Sequence, residues 1–259
     1  MRAVELGVLQ RGDVEKGKLV TLDFIPFAAH RAIVDELVDE AVRDERISGA
    51  LLIGSLGRGT ALPGSDIDLF LLIPDGLGKE RLYRNHERRG VLIEYHHRDV
   101  ATARSQLETD ATWVYAYLDS RVLYDPAHRV AELVSIACER YAGYHSTDEQ
   151  KRRYAFIVDR TREKLQAAVD ADDALRAGGV ASTYATAILN GLWTAFDKPT
   201  LGVSEMWARL PDLVGLPPGT RENLDELFLG AALERARAGI ILCEAIVARL
   251  GGSVLEPPW

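Results

Sequence analysis

The sequence predicts an α+β protein, in which an N-terminal α/β domain with a mixed sheet is followed by a C-terminal helical bundle. Short apolar runs typical of strands occur only before Asp125-Pro126. Beyond that point, apolar residues recur at the three-, four- or seven-residue spacing of helices. We expect a boundary between residues 126 and 146 and draw it at 126/127, which gives domains 1–126 and 127–259.

The first domain is expected to combine one long helix with several strands. Residues 28–44 carry two apolar rows at helical spacing and predict an amphipathic helix. Strands are predicted where apolar and β-branched residues cluster near glycine or proline, at 50–53, 69–73, 91–96 and 121–124.

The second domain is expected to be entirely helical. The predicted helices span residues 127–142, 148–177, 180–196, 203–213 and 220–250. Gly251-Gly252 supplies a plausible stop for the last of them.

The amino-acid composition indicates which kinds of partner the protein can bind and in which cellular compartment it is expected. The chain has 31 Lys and Arg against 39 Asp and Glu, a net charge of −8, which disfavours binding to nucleic acid. Cys138 and Cys243 are far apart and lack CxxC spacing, as expected in a reducing cytoplasm. The first 13 residues lack the apolar segment of a signal peptide, and no run approaches the roughly 18 apolar residues of a membrane span. We therefore expect a cytoplasmic protein without a membrane partner.

Two short motifs occupy facing ends of two predicted strands, within GSLGRGTALPGSDID at residues 54–68. Asp66 and Asp68 are two residues apart, so they point to the same side of a strand. Two like charges held side by side need compensation, and carboxylate oxygens are ligands that suit Mg²⁺. The pair alone would also fit a turn with a helix cap, but its place beside the glycine-rich segment favours a metal site.

The glycine-rich segment GSLGRG follows the first predicted strand, before a short helix. Glycine lets backbone N–H groups approach a phosphate closely, and the Ser55 hydroxyl can add a hydrogen bond. Arg58 adds a positive charge, unless it is an ordinary surface arginine. A phosphate-binding turn beside two metal-binding carboxylates is what nucleotidyl transfer requires.

A third carboxylate is expected from a neighbouring strand. Glu94 is the acidic residue of the apolar run Gly90–His96 and shares a strand face with His96. The alternative for Glu94 is an ion pair with a nearby arginine at position 88, 89 or 98. His96 and His97 are not expected to share a metal, because adjacent strand residues point to opposite faces.

Together these residues resemble a known family. The pattern G-S-x9-S-D-x-D between two apolar strands, followed by a strand acid, is similar to the nucleotidyltransferase superfamily of the DNA polymerase β type. The chain most resembles the aminoglycoside and lincosamide nucleotidyltransferases. These join one nucleotidyltransferase catalytic domain to one helical substrate-binding domain, and members often build the site across a homodimer.

The resemblance implies a role for each motif residue. Asp66 and Asp68 would hold Mg²⁺, and Glu94 would be a third metal ligand or the general base. The nucleotide-binding residues would be Gly54, Ser55, Arg58 and Ser65. Some members take the base from the helical domain instead, where the sequence leaves Asp159, Glu163 and Lys164 as candidates.

The expected function is transfer of a nucleoside monophosphate, AMP from the co-substrate ATP, to a hydroxyl of a small molecule. An aminoglycoside-type antibiotic is the favoured acceptor, which would make the protein a resistance enzyme. Two alternatives stay open: a protein adenylyltransferase of the antitoxin type, and a non-catalytic nucleotide-binding scaffold.

Overall fold

The computed structural model describes residues 21–76 and 82–254. The N-terminal residues used to judge a signal peptide lie outside the described residues. The chain divides into two compact units, Met1–Ala142 and Gly143–Trp259.

Within its described residues, the first unit combines five strands with five α-helices. A short 3₁₀-helix, Leu22–Phe24, precedes them. In chain order the elements are α1 (Ala28–Arg43), β1 (Gly49–Leu52), α2 (Gly54–Arg58), β2 (Ile67–Leu72), β3 (Leu82–Arg88), β4 (Val91–Arg98), α3 (Val100–Thr109), α4 (Thr112–Leu118), β5 (Arg121–Tyr124) and α5 (Arg129–Ala142).

The five strands form one sheet in the order β3-β4-β2-β1-β5. Strands β2 and β4 are parallel, whereas the other neighbouring pairs are antiparallel. The predicted mixed sheet is therefore confirmed. Strand β3 was not predicted, because its sequence LYRNHER is mostly polar or charged. It lies at the sheet edge, where charged side chains are common.

Helices cover both faces of the sheet. On one face, α1 packs over Ile67, Leu69 and Ile93. On the other, α3, α4 and α5 pack over Phe70 and Leu72. Helices α3 and α4 were not predicted from the sequence. Asp99 begins α3 as an N-cap by accepting a hydrogen bond from the Thr102 N–H at 2.7 Å. Successive side chains of β2 therefore point to opposite faces of the sheet and pack into two separate hydrophobic cores.

Helix α5 belongs to the sheet-containing unit, although 127–259 was drawn as the helical domain. Its start is fixed by the buried Asp125 carboxylate, which accepts hydrogen bonds from the N–H groups of Val130 and Ala131. Its residues Leu133 and Ala137 are fully buried in the core that contains Phe70. The division between the two compact units falls after Ala142, and the domain bounds 1–126 and 127–259 stay a prediction.

The second unit is helical, as predicted. Its helices are α6 (Asp148–Asp170), α7 (Ala174–Ala195), α8 (Val203–Arg209), α9 (Thr220–Leu229) and α10 (Ala232–Arg249), with a short 3₁₀-helix at Leu210–Asp212. No helix in the described part of the chain is long and apolar enough to cross a membrane.

Several helix boundaries of this unit differ from those predicted. Helix α7 begins after Asp173, whose side chain accepts a hydrogen bond from the Arg176 N–H, so the predicted break at Gly178-Gly179 lies inside a helix. The predicted helix 220–250 is divided at Gly230, where an added Cβ would lie 2.7 Å from the Glu226 carbonyl oxygen.

Candidate active site

The strand register brings two predicted acidic residues together. Asp68 on β2 is the direct partner of Glu94 on the parallel strand β4. The end of β1 joins the same place, because the Ile53 N–H donates to the Asp68 carbonyl oxygen at 3.0 Å. The glycine-rich segment, now seen as helix α2, therefore starts directly beside the Asp68 side chain.

Gly54 is required at this start for two reasons. Its φ of +66° lies in the left-handed region that other residues rarely adopt. A Cβ at this position would also lie 1.9 Å from Asp68 Oδ2. The missing side chain leaves the space that the Asp68 carboxylate occupies.

Asp68 lies in an environment that disfavours its negative charge. Burial is the largest cause that raises the pKa of Asp68 to about 7. The charges of Asp66 and Glu94, and a hydrogen bond that the protonated Asp68 donates to Glu94, act in the same direction. The charge of Arg58 opposes them. A cation bound here would relieve the repulsion among the carboxylates.

His96 joins Asp68 and Glu94 in the described part of the chain. One ligand atom from each of the three lies within 4.8 Å of the others. His96 Nε2 is 4.0 Å from Asp68 Oδ1. Burial, followed by the charge of Arg98, lowers the pKa of His96, which favours the neutral imidazole that binds metals.

Asp66 lies outside this three-residue group, although its charge acts on Asp68. It precedes β2, whereas the other three side chains come from within β2 and β4. Its role as a metal ligand stays a prediction. His96 was missed as a candidate because it was considered only as a pair with His97, although its alternation with Glu94 was visible in the sequence.

The arginines proposed as alternative partners of Glu94 have other contacts. Arg88 pairs with Glu36 and Glu40, and Arg89 pairs with Glu36. The buried Arg98 donates to Gln106 Oε1 and to the His97 carbonyl oxygen. These contacts lead the arginines to other groups and favour the reading of Glu94 as a functional acid.

The two predicted serines differ in their surroundings. Ser55 Oγ is buried and has no hydrogen-bond partner among the described residues. Ser65 Oγ accepts a hydrogen bond from the Leu62 N–H at 2.9 Å, and the Ser65 carbonyl oxygen lies 2.8 Å from His30 Nε2. Ser65 therefore shapes the turn before Asp66, whereas the Ser55 hydroxyl is left for a group that the described residues do not supply.

Arg58 is held near the acidic residues. Its Nη1 is 3.9 Å from Asp119 Oδ2, and the two side chains are only 10% and 8% exposed. Its Nε lies 3.4 Å from Thr60 Oγ1. Arg58 is therefore not an ordinary surface arginine, and its predicted contact with phosphate remains a prediction.

A family model described as the nucleotidyltransferase domain matches residues 34–171, more than half of the 259 residues. The chain belongs to the nucleotidyltransferase domain family. Among solved structures, it is similar to a nucleotidyltransferase-like protein from Exiguobacterium sibiricum, at 13% identity and a TM-score of 0.39. That similarity covers 85% of this chain and 73% of the other, and it is too loose to transfer residue roles. No curated protein matches the chain.

A nucleotidyltransferase domain uses a divalent metal, and the residues at this site fit one. Asp68 and Glu94 offer carboxylate oxygens, and His96 offers an imidazole nitrogen. The charges of Asp66 and Glu94 both act on Asp68 and, after burial, contribute to its raised pKa. The Ser55 hydroxyl, which has no partner among the described residues, adjoins the same strand ends as Gly54, whose missing side chain makes room for the Asp68 carboxylate.

The helical candidates for a general base in this nucleotidyltransferase have partners of their own. Asp159 is buried and accepts a hydrogen bond from Arg162 Nε at 2.9 Å. Glu163 pairs with Arg160 at 2.6 Å, and Lys164 lies over the Tyr184 ring. Each of the three side chains therefore has a partner within the helical unit, which favours a general base from the sheet.

We expect the stability of the metal-free nucleotidyltransferase to fall as pH rises from 5 to 8. The raised pKa of Asp68 means that the folded state binds a proton that the unfolded state releases, so this stabilisation is complete below about pH 4 and is lost as pH rises through about 7. Urea unfolding of wild type and Asp68→Asn should show wild type losing roughly 2–4 kcal/mol more over this range. An identical pH dependence in both proteins would contradict the raised pKa.

Ser55→Ala should weaken nucleotide use without destabilising the fold. The hydroxyl has no partner to lose among the described residues, so the melting temperature should stay level or rise. Loss of one hydrogen bond to a charged phosphate should reduce kcat/KM for the nucleotide roughly ten- to a hundredfold, equally for every acceptor. Ser65→Ala is the control, since it removes a turn hydrogen bond and should lower the melting temperature. A nucleotide effect that varied with the acceptor would assign Ser55 to the acceptor pocket.

Proposed function

We propose that the protein transfers AMP from ATP to a hydroxyl group of a small molecule and releases pyrophosphate. The observation that supports this most is the pairing of Asp68 with Glu94 across two parallel strands, directly beside the start of α2 at Gly54. Carboxylates on adjacent strands beside a glycine-containing turn place a metal-binding group next to backbone N–H groups that suit phosphate.

In this proposal each residue contributes to one part of the transfer. A bound Mg²⁺ supplies charge neutralisation to the triphosphate, and Asp66 and Asp68 are the residues that would hold it. Glu94 is a further ligand or takes the proton of the attacking hydroxyl. As the acceptor oxygen bonds to the α-phosphorus, the bond from phosphorus to the pyrophosphate oxygen breaks.

The nucleotide would be oriented by α2 and its surroundings. The N–H groups at the start of α2 and the Ser55 hydroxyl are the proposed phosphate contacts. Arg58, held by Asp119, would stabilise negative charge on the phosphates, and its charge partly offsets the rise in the pKa of Asp68. Ser65 would support the nucleotide site through the turn that precedes Asp66.

The favoured acceptor is an aminoglycoside-type polycation. The net charge of −8 attracts a cationic acceptor and repels an anionic one. The sequence resemblance to aminoglycoside and lincosamide nucleotidyltransferases also favours an antibiotic as the acceptor. On this basis the protein would act in antibiotic resistance, in the cytoplasm.

The test is turnover with Mg²⁺, each of the four ribonucleoside triphosphates, and panels of aminoglycosides and lincosamides. Pyrophosphate release with ATP, and an acceptor heavier by one AMP, would support the proposal. Absence of turnover with every antibiotic would overturn the acceptor class. AMP found on a copurifying protein would favour a protein adenylyltransferase, and tight ATP binding without Mg²⁺ or turnover would favour a scaffold.

A further inference from the structure

We propose that His96 is a direct metal ligand, so that the site has a mixed oxygen and nitrogen donor set and binds Mn²⁺ in preference to Mg²⁺. The inference deepens the proposed function, because it concerns the metal of the same site. It identifies a residue outside the carboxylate motif as the one that decides metal selectivity.

Strand geometry places the three donors on one side of the sheet. Glu94 and His96 are two residues apart on β4, so they point to the same face. Asp68 is the neighbour of Glu94 on β2. The three donor atoms lie within 4.8 Å of one another, and two ligands about 2.1 Å from one ion stand at most about 4.2 Å apart. The spacing of up to 4.8 Å exceeds this maximum, so the side chains would rotate towards one another to bind the same ion.

The His96 ring is supported on this face. Its side chain is 18% exposed, and its ring meets the edge of Trp113 on α4 at a centroid distance of 6.0 Å and an angle of 78°. His97 points to the other face, where it lines a cavity of about 400 Å³ together with Leu69 and Tyr95. The two adjacent histidines therefore have separate environments, and only one of them adjoins the carboxylates.

The donor types set the expected selectivity. Mg²⁺ prefers oxygen ligands and gives up its water reluctantly, whereas imidazole suits transition ions. Mn²⁺ accepts carboxylates as Mg²⁺ does and gains more from a nitrogen donor. Replacing His96 should thus weaken Mn²⁺ binding strongly and Mg²⁺ binding little.

The test measures metal binding to the whole protein without nucleotide or acceptor. Free Mn²⁺ is counted by electron paramagnetic resonance, Mg²⁺ is measured by competition, and pulsed spectra of bound Mn²⁺ report coupling to a ligand ¹⁴N. We expect wild type to prefer Mn²⁺ and to show the ¹⁴N signal. His96→Gln should lose the signal and roughly tenfold or more of the Mn²⁺ affinity. The matched control His97→Gln, one residue away on the opposite face, should behave as wild type.

Two results would overturn the proposal: a wild-type spectrum without ¹⁴N coupling, or an unchanged ratio of Mn²⁺ to Mg²⁺ affinity in His96→Gln. If His96→Gln does not fold, the wild-type and His97→Gln spectra still decide the question. The metal-binding test is independent of the turnover test of the proposed function. If the turnover test finds no transfer but the ¹⁴N signal is present, only the proposed function is refuted. Transfer without a ¹⁴N signal would refute only the role of His96.

Discussion

Asp68→Asn is expected to abolish nucleotidyl transfer while leaving the fold intact. The substitution keeps the size of the side chain but removes the charge at the centre of the site, where Asp68 adjoins Glu94, His96 and the start of α2. Metal-based stabilisation of a phosphoryl transition state is worth several kcal/mol, so turnover should fall roughly a thousandfold or more. Asp66→Asn should have a similar effect on turnover if it also holds the metal.

Although Asp68→Asn should lower turnover, it should not lower the stability of the protein. Asp68 repels Glu94 and Asp66 in the metal-free protein, so Asp68→Asn should raise the melting temperature at pH 8 or leave it level. Asp75→Asn, at an exposed position beyond β2, is the matched control and should change neither quantity. Turnover near the wild-type rate in Asp68→Asn would show that the metal site is wrongly assigned.

Gly54→Ala is expected to disrupt the site by steric exclusion. The new methyl group would lie 1.9 Å from Asp68 Oδ2 and would require a left-handed backbone at φ +66°. The carboxylate must therefore move, and a displacement of about 1 Å at a reacting centre can cost roughly a hundredfold in rate. The measurement is kcat/KM together with metal affinity, both of which should fall.

Gly59→Ala distinguishes steric contact with Asp68 from backbone strain as the cause of the effect of Gly54→Ala. Gly59 has a φ of +78°, but an added Cβ there meets nothing within 4 Å. Both alanine variants should therefore lose about 1–2 kcal/mol of stability from backbone strain, while only Gly54→Ala should lose activity and metal binding. Equal activity losses in the two variants would mean that backbone strain, and not contact with Asp68, makes Gly54 necessary.

Sequence patterns were sufficient where a local rule determines the structure. The apolar runs predicted the central strands β1, β2 and β4, because a strand between two neighbours must be apolar to be buried. They also predicted the edge strand β5, because its Val122 and Leu123 pack into the two cores. They could not predict β3, whose side chains are mostly polar because it lies at an edge. The helical unit was predicted as a class, but its breaks depended on particular caps such as the one at Asp173.

The sequence by itself determined the family and the acidic residues proposed for the site, because Gly54, Asp66 and Asp68 lie in one short segment with characteristic spacing. Only the tertiary structure decided which groups meet. The parallel register of β2 and β4 sets Glu94 against Asp68 and brings His96 within ligand distance, and no sequence spacing specifies that register. The pKa of Asp68 likewise depends on burial and on charges brought from separate segments, because electrostatic interactions act through distance in space and not along the chain.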